Sequence, residues 1–273
     1  MATSRVLGIE PASTDGACRF TAGEWAVLSG PLRLKPAGER DSSRSLAAHE
    51  LLNGGVCLRL LDELTPILGS PSRAITASLL SKRIAFLTTN PCLYALSACD
   101  KGLRMSLDNS VIEYGHDAGR WTSSMPLLDP QPRAYAAGER EAWREALVGS
   151  LFAGLLKPLW DLFTQVSGIS RRILWENTAV RVYSLYEKRM DSLQDPSARR
   201  RIDADFDWLL NHADPEVFGL DYNPLRHFHR APMPLAEGGC RRLRRTCCFY
   251  YQASNPVEYC SACPLLRRRT RHE

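Results

Sequence analysis

Cys247 and Cys248 are adjacent, eleven residues follow, and Cys260 and Cys263 then close the stretch as a Cys-x-x-Cys pair with Pro264 directly behind it. Four thiols within seventeen residues are a metal-binding constellation. In a Cys-x-x-Cys turn both thiolates reach one metal while backbone amides point at the sulfurs, and four such thiolates close either a tetrahedral zinc site or the two irons of a [2Fe-2S] cluster. A zinc ribbon pairs two separated Cys-x(2–4)-Cys knuckles, whereas the first half here is a bare dipeptide whose side chains diverge in extended backbone. An adjacent pair therefore needs an unusual turn, and the simple ribbon is disfavoured.

Charge is concentrated around the same residues. Residues 240 to 273 hold Arg241, Arg242, Arg244, Arg245, Arg267, Arg268, Arg269 and Arg271 against Glu258 and Glu273, a net of +6, whereas the first 239 residues carry a net of −1. Five of the nine cysteines, Cys240 included, lie in this tail. An odd number of cysteines in a chain whose first residues show no apolar signal stretch argues for metal or reactive thiols rather than a disulfide framework. A cytoplasmic location is the default.

The elements that must position the cysteines read as mostly helical. Apolar content of 44% and charged content of 24% are those of a globular chain. Residues 1–44 form a weakly patterned lead-in with a strand-like piece at "EWAVLSG". The stretch 45–68 predicts a short helix, a Gly54-Gly55 break and a second helix. Ser70 and Pro71 then open a helix carrying Ile75, Leu79, Leu80, Ile84 and Leu87, which Asn90-Pro91 should end. "LRMSLD" and "SVIEYG", separated by Asp108-Asn109, suggest a hairpin. Arg140 to Val166 is amphipathic with a kink expected at Pro158. Its apolar run is interrupted by Lys157, Pro158 and Asp161 and falls short of the roughly 20 residues of a membrane span, so no stable membrane insertion is expected. Further helices start at Ser170 and at Asp195-Pro196, and from residue 213 periodicity is lost in a linker toward the cysteines. The expected fold is α+β: a mostly helical body with a small antiparallel sheet and a C-terminal cysteine-rich iron-sulfur segment.

With these residues in place, the chain resembles the ferric-siderophore reductases of the FhuF type. The likeness is carried by "CCFYY" and "CSACPL" in the tail, and more diffusely by "ASLLSKR" at Ala77 to Arg83 and "ILWENTA" at Ile173 to Ala179. The resemblance implies a [2Fe-2S] cluster held by Cys247, Cys248, Cys260 and Cys263, with Cys240 outside the motif. It implies a division into a lead-in (1–44), a siderophore-reductase-like body (45–230) and a [2Fe-2S]-binding C-terminal segment (231–273). The implied activity is one-electron reduction of a ferric siderophore, of hydroxamate type by family association, fed by a donor such as a ferredoxin or a flavin-dependent reductase. The family pattern has about ten residues between the cysteine pairs; one extra changes loop closure little.

Arg241, Arg242, Arg244 and Arg245 lead into the cysteine pair and are the candidates for docking an acidic partner or an anionic chelate. Lys82 and Arg83 read either as ordinary helix charges or as lining of a basic groove. Trp175 and Asn177 read as packing residues, and Phe249, Tyr250, Tyr251 and Tyr259 as a shield around the cluster. His227 and His229 have ligand-like spacing beside thiols that need no further ligand. The competing readings are a zinc-thiolate nucleic-acid-binding protein, which the absence of a recognition helix between the basic blocks argues against, and a generic iron-sulfur electron carrier. The body also resembles part of the aerobactin-type siderophore synthetases, whose ATP-binding residues are missing here. Gly-x-Ser-x-Gly, His-Glu-x-x-His and phosphate-loop motifs do not occur, which removes the common hydrolytic classes.

Overall fold

The computed structural model describes residues 18–234 and 240–266. Arg267, Arg268, Arg269 and Arg271 lie outside the described residues.

Among the described residues, eight α-helices carry the body: α1 (Ala22–Ser29), α2 (Gly54–Ile67), α3 (Arg73–Ser97), α4 (Arg140–Gly149), α5 (Lys157–Ser167), α6 (Arg171–Ser184), α7 (Pro196–Asp207) and α8 (Pro224–Phe228). π-Helical turns at Ser150–Leu156, Leu185–Arg189 and Trp208–His212 continue α4 into α5, extend α6 and extend α7. The strands are short: β1 (Leu34–Pro36), β2 (Ser45–Ala47), β3 (Val111–Glu113), β4 (His116–Asp117), β5 (Arg120–Trp121), β6 (Met125–Leu127), β7 (Met233–Pro234) and β8 (Cys240–Arg241). They pair as two-stranded ladders, β1 with β6 in parallel and β2–β3, β4–β5 and β7–β8 antiparallel. The α+β expectation holds, with one ladder parallel.

Local chemistry accounts for where the elements begin. Thr21 and Glu24 form a capping box, Thr21 Oγ1 accepting from the Glu24 amide and Glu24 accepting from the Thr21 amide at 2.7 Å. This makes "EWAVLSG" a helix, not the expected strand. Asn53 caps α2 by accepting from the Gly55 and Val56 amides, so the two glycines open a helix where a break was expected. Residues 48–52 form a 3-10 turn between β2 and that cap. Ser72, rather than Ser70, caps α3. That helix runs through Pro91 to Ser97 instead of stopping at Asn90, because tertiary burial outweighs the hydrogen bond the proline removes. Every residue of α3 from Ile75 to Ser97 is buried except Lys82 and Arg83.

The expected hairpin is also different. "SVIEYG" supplies β3, which pairs with β2 more than sixty residues upstream, and the hairpin is β4–β5, turning at Ala118-Gly119. The loop from 213 holds a 3-10 turn and α8. The helical run Arg140–Ser167 is long and apolar enough to cross a bilayer by length and composition, more than its three interruptions suggested. Its Leu151, Phe152, Leu155, Leu156, Leu159, Trp160 and Phe163 are nevertheless fully buried in the core.

α3 and α6 form the central pair, and their contacts advance together: Asn177 meets Ser78 and Ser81, while further along Arg189 faces Phe86. At the far end Asp205 ties three elements, accepting from Arg140 at 2.8 and 2.9 Å, from Arg144 at 3.0 Å and from Ser97 at 2.9 Å.

Candidate metal centre on the central helix pair

The cysteine-rich segment lies against α3 and α6, and hydrogen bonds from both helices hold the turn before the cysteine pair. Glu176, 1% exposed, accepts from the Arg245 amide at 2.6 Å, from the Thr246 amide at 2.7 Å and from the Thr246 hydroxyl. Arg244, also buried, stands 3.7 Å from the same carboxylate and donates to the Thr246 carbonyl at 3.2 Å. A buried carboxylate is tolerated when its lone pairs are filled in this way. On the other side the Ser78 hydroxyl donates to the Cys248 carbonyl at 2.9 Å, and Asn177 Nδ2 braces Ser78 and Ser81 from α6.

The adjacent cysteines are resolved by a left-handed turn. Phe249 has φ +61°, a conformation that costs a non-glycine residue about 1–2 kcal/mol. It turns its amide back to Cys247 Sγ at 3.3 Å, which is the unusual turn an adjacent pair requires. Phe249, Tyr250 and Ala253 then pack against the core, and the Arg244 amide bonds the Ala262 carbonyl at 2.9 Å, tying the approach to the second pair.

The result brings Cys248 Sγ within 3.6 Å of Cys260 Sγ. Two thiolates bonded at 2.3 Å to one tetrahedral metal stand about 3.8 Å apart, so this spacing fits a shared metal. Cys248 and Cys263 are buried and Cys247 and Cys260 are partly exposed. The Cys248 thiol is pulled well below the usual thiol range, first by the Cys260 sulfur and then by Lys82 and Arg244; the same contact pushes Cys260 upward. Among the described residues no three His, Cys, Asp or Glu side chains converge on a single point. The close approach is pairwise, and a two-iron cluster takes two thiolates per iron.

Lys82 Nζ lies 3.5 Å from Cys248 Sγ and 5.0 Å from the Tyr250 ring centroid. Burial lowers its pKa, and the Cys248 charge opposes that shift. Arg242 is committed to Glu187 (2.7 Å from NH1 to Oε1), the Arg230 carbonyl and the Tyr183 ring. Of the four arginines leading into the pair, Arg242 and Arg244 are held by buried or half-buried partners, Arg245 is exposed, and Arg241 lies half-exposed on β8. His229 faces Glu187 at 3.2 Å and the Tyr183 ring, and His227 packs on Tyr222 and Phe228; the contacts of both are with carboxylate and aromatic groups. Tyr251 and Tyr259 stack at 5.5 Å. Cys240 is exposed on β8.

Sequence reasoning missed Glu176, Ser78 and Arg181. Trp175 and Asn177 drew attention within "ILWENTA", yet the carboxylate between them holds the turn; the signal was an acidic residue inside an otherwise apolar helix stretch.

Comparison with known families agrees with this geometry. Residues 78–232 match the family model described as "Ferric iron reductase FhuF-like transporter". Residues 244–265 match the model described as "FhuF 2Fe-2S C-terminal domain", which identifies the centre as a [2Fe-2S] cluster and removes the zinc reading. A search of individually curated proteins found no match. With more than half its length under the first model and its cysteine segment under the second, the chain belongs to the FhuF-like ferric iron reductase family.

Proposed function

We propose that Cys247, Cys248, Cys260 and Cys263 hold the [2Fe-2S] cluster and that the protein reduces a ferric siderophore by one electron in the cytoplasm, freeing Fe²⁺. The observation that carries this reading is the approach of Cys248 to Cys260 at 3.6 Å, made possible by the left-handed turn at Phe249.

When bound, the cluster would supply a single electron. The chain's residues do the rest. Glu176 and Ser78 fix the backbone of the cysteine pair from two helices. Lys82 and Arg244 place positive charge beside the sulfurs, which favours the reduced state. Phe249 and Tyr250, packed against the core, would shield a bound cluster on the body side. The substrate iron, held by hard oxygen donors, accepts the electron and falls to the weakly bound end of the divalent series, so no acid-base group is required. Arg241 and Arg245 supply the exposed basic face for a ferredoxin or a flavin-dependent reductase.

The test is anaerobic. Dithionite-reduced and desalted protein, as the sole donor, is mixed with ferric hydroxamate, catecholate and citrate chelates in the presence of ferrozine. Release of about one Fe²⁺ per cluster from at least one chelate is expected, and release from none of them refutes the reading in favour of a generic carrier. Serine at any of the four positions should abolish the visible absorption of the purified protein, and Cys240→Ser should keep it.

A further inference from the structure

The window in α3 at Lys82 and Arg83 is occupied by cations that no carboxylate among the described residues neutralises. Arg181, on the facing side of α6, has a buried Nε with no hydrogen-bond partner, and among the described residues it makes no ion pair. Arg189, at the end of the π-turn extending α6, is exposed and likewise without an acidic partner among the described residues, its guanidinium 5.2 Å from the Phe86 ring. Arg83 lies 5.4 Å from the same ring and is braced by Ser123, Nε donating to the hydroxyl at 2.8 Å. Glu113, whose charge reaches Arg83, is already paired with Lys35 at 2.7 Å. Arg181 feels Lys82, Arg83, Arg189 and Arg244 as like charges.

Four cations from two helices, none with a carboxylate partner among the described residues, therefore run from the cysteines outward. Packing like charges together and leaving an orphaned guanidinium N–H inside is unfavourable for folding alone. Charge compensation of the cluster accounts for the inner part of the strip, because Lys82 and Arg181 sense the Cys248 and Cys260 sulfurs. It does not account for the outer part: the charges around Arg83 are Arg33, Arg181 and Glu113, with no cysteine among them. The π-turn, a feature enriched at functional sites, re-aims the chain so that Arg189 joins the strip.

We infer that Lys82, Arg83, Arg181 and Arg189 form an anion-binding strip that seats the ferric chelate by its negative charge, so that the chain prefers net-anionic chelates built from catecholate or carboxylate oxygens over neutral tris-hydroxamates. The inference rests on the proposed function and refines it against the hydroxamate preference that the family likeness carries. Guanidinium groups suit such oxygens because they donate in pairs to planar anionic acceptors.

Binding separates the inference from turnover. Cluster-loaded full chain is dialysed to equilibrium against the redox-inert Ga³⁺ complexes of a hexadentate tris-catecholate, which is trianionic, and of a hexadentate tris-hydroxamate, which is neutral, and retained gallium is measured at low and high salt. The trianionic complex should bind at least about tenfold more tightly at low salt and lose that advantage as salt rises. Arg189→Gln, at an exposed position, and Arg181→Gln should each weaken it by about tenfold and leave the neutral complex unchanged. Equal binding of the two complexes overturns the inference, as does unaltered binding by Arg189→Gln with an intact visible spectrum. Reduction of the ferric tris-hydroxamate without selective anion binding sinks the inference and spares the proposed function. Selective anion binding without Fe²⁺ release from any chelate sinks the proposed function and leaves the strip as an anion site.

Discussion

Glu176→Gln is the sharpest single perturbation of the turn that carries the cysteine pair. The wild-type carboxylate receives the Arg245 amide on one oxygen and the Thr246 amide on the other, at 2.6 and 2.7 Å. Glutamine has the same shape but one acceptor, so in either amide orientation one backbone N–H faces an N–H. That orphaned donor costs about 1–3 kcal/mol, and the surviving bond loses its charge assistance, about 1 kcal/mol more. Arg244, 2% exposed at its side chain and 3.7 Å from the carboxylate, also loses its counter-charge. The sum, about 3–5 kcal/mol, is the range found for breaking a buried pair.

Two measurements separate where that energy is lost. If the turn opens by itself, iron loss to a chelator accelerates by about 10²- to 4 × 10³-fold, since each 1.4 kcal/mol is a factor of ten. If the whole body loosens, Tm falls by about 6–20 °C, at 2–4 °C per kcal/mol for a chain of this size. Glu176→Asp keeps the charge, cannot reach both amides, and should fall between. A Gln variant whose Tm lies within about 2 °C of wild type and whose iron-loss rate lies within about twofold would refute the view that this carboxylate holds the turn.

Lys82→Met removes a positive charge 3.5 Å from Cys248 Sγ. A charge roughly 6 Å from the cluster at an effective dielectric of about 20–40 contributes ~1.4–2.8 kcal/mol, so the midpoint potential should drop by about 60–120 mV; an unchanged potential in an EPR-monitored titration contradicts this placement. Asp205→Asn leaves Arg140 and Arg144 facing a neutral amide at a fully buried site. It should destabilise the body by about 3–5 kcal/mol, seen in urea unfolding, with cluster absorbance per folded molecule preserved. Burial pushes the Cys57 thiol up to about 11 and the Cys92 and Cys99 thiols up to about 12, so at pH 8 their thiolate fractions are about 10⁻³ or less. Brief iodoacetamide treatment of the cluster-loaded protein should mark exposed Cys240 in peptide mass spectra and leave those three unmodified.

The sequence disclosed the [2Fe-2S] segment because cysteine spacing is a local property, and helices α4 through α7 because apolar periodicity and Pro or Ser start signals are local too. Errors fell where distant contacts decide. Pro91 reads as a helix stop until the burial on every side of α3 is known. "SVIEYG" invites a hairpin with its sequence neighbour, and its partner at Ser45–Ala47 could not be read from spacing. The site divided in the same way. The four thiols were visible, whereas Glu176, Ser78 and Arg181 acquire meaning only when α3 and α6 lie side by side. The charged tail suggested docking by its arginines; the fold instead commits Arg242 to Glu187 and buries Arg244 beside Glu176.

The α3–α6 pair acts as a ruler. Ser78 and Lys82 touch the cysteine segment, and Phe86, between Arg83 and Arg189, lies one turn farther along the same rod. At 1.5 Å per residue the step from 82 to 86 is about 6 Å, and a helix buried around that window cannot stretch it. On the reading proposed above, a chelate resting on the outer arginines would be held at a fixed short gap from the sulfurs, whichever way surface loops move. The tolerance lies in the ligand: chelates of different shape can be served at one electron-transfer distance provided each presents anionic oxygens to that rod. A one-residue insertion after Arg83 would turn Phe86 by 100° and break the alignment, together with the core packing of the buried half of α3 beyond it.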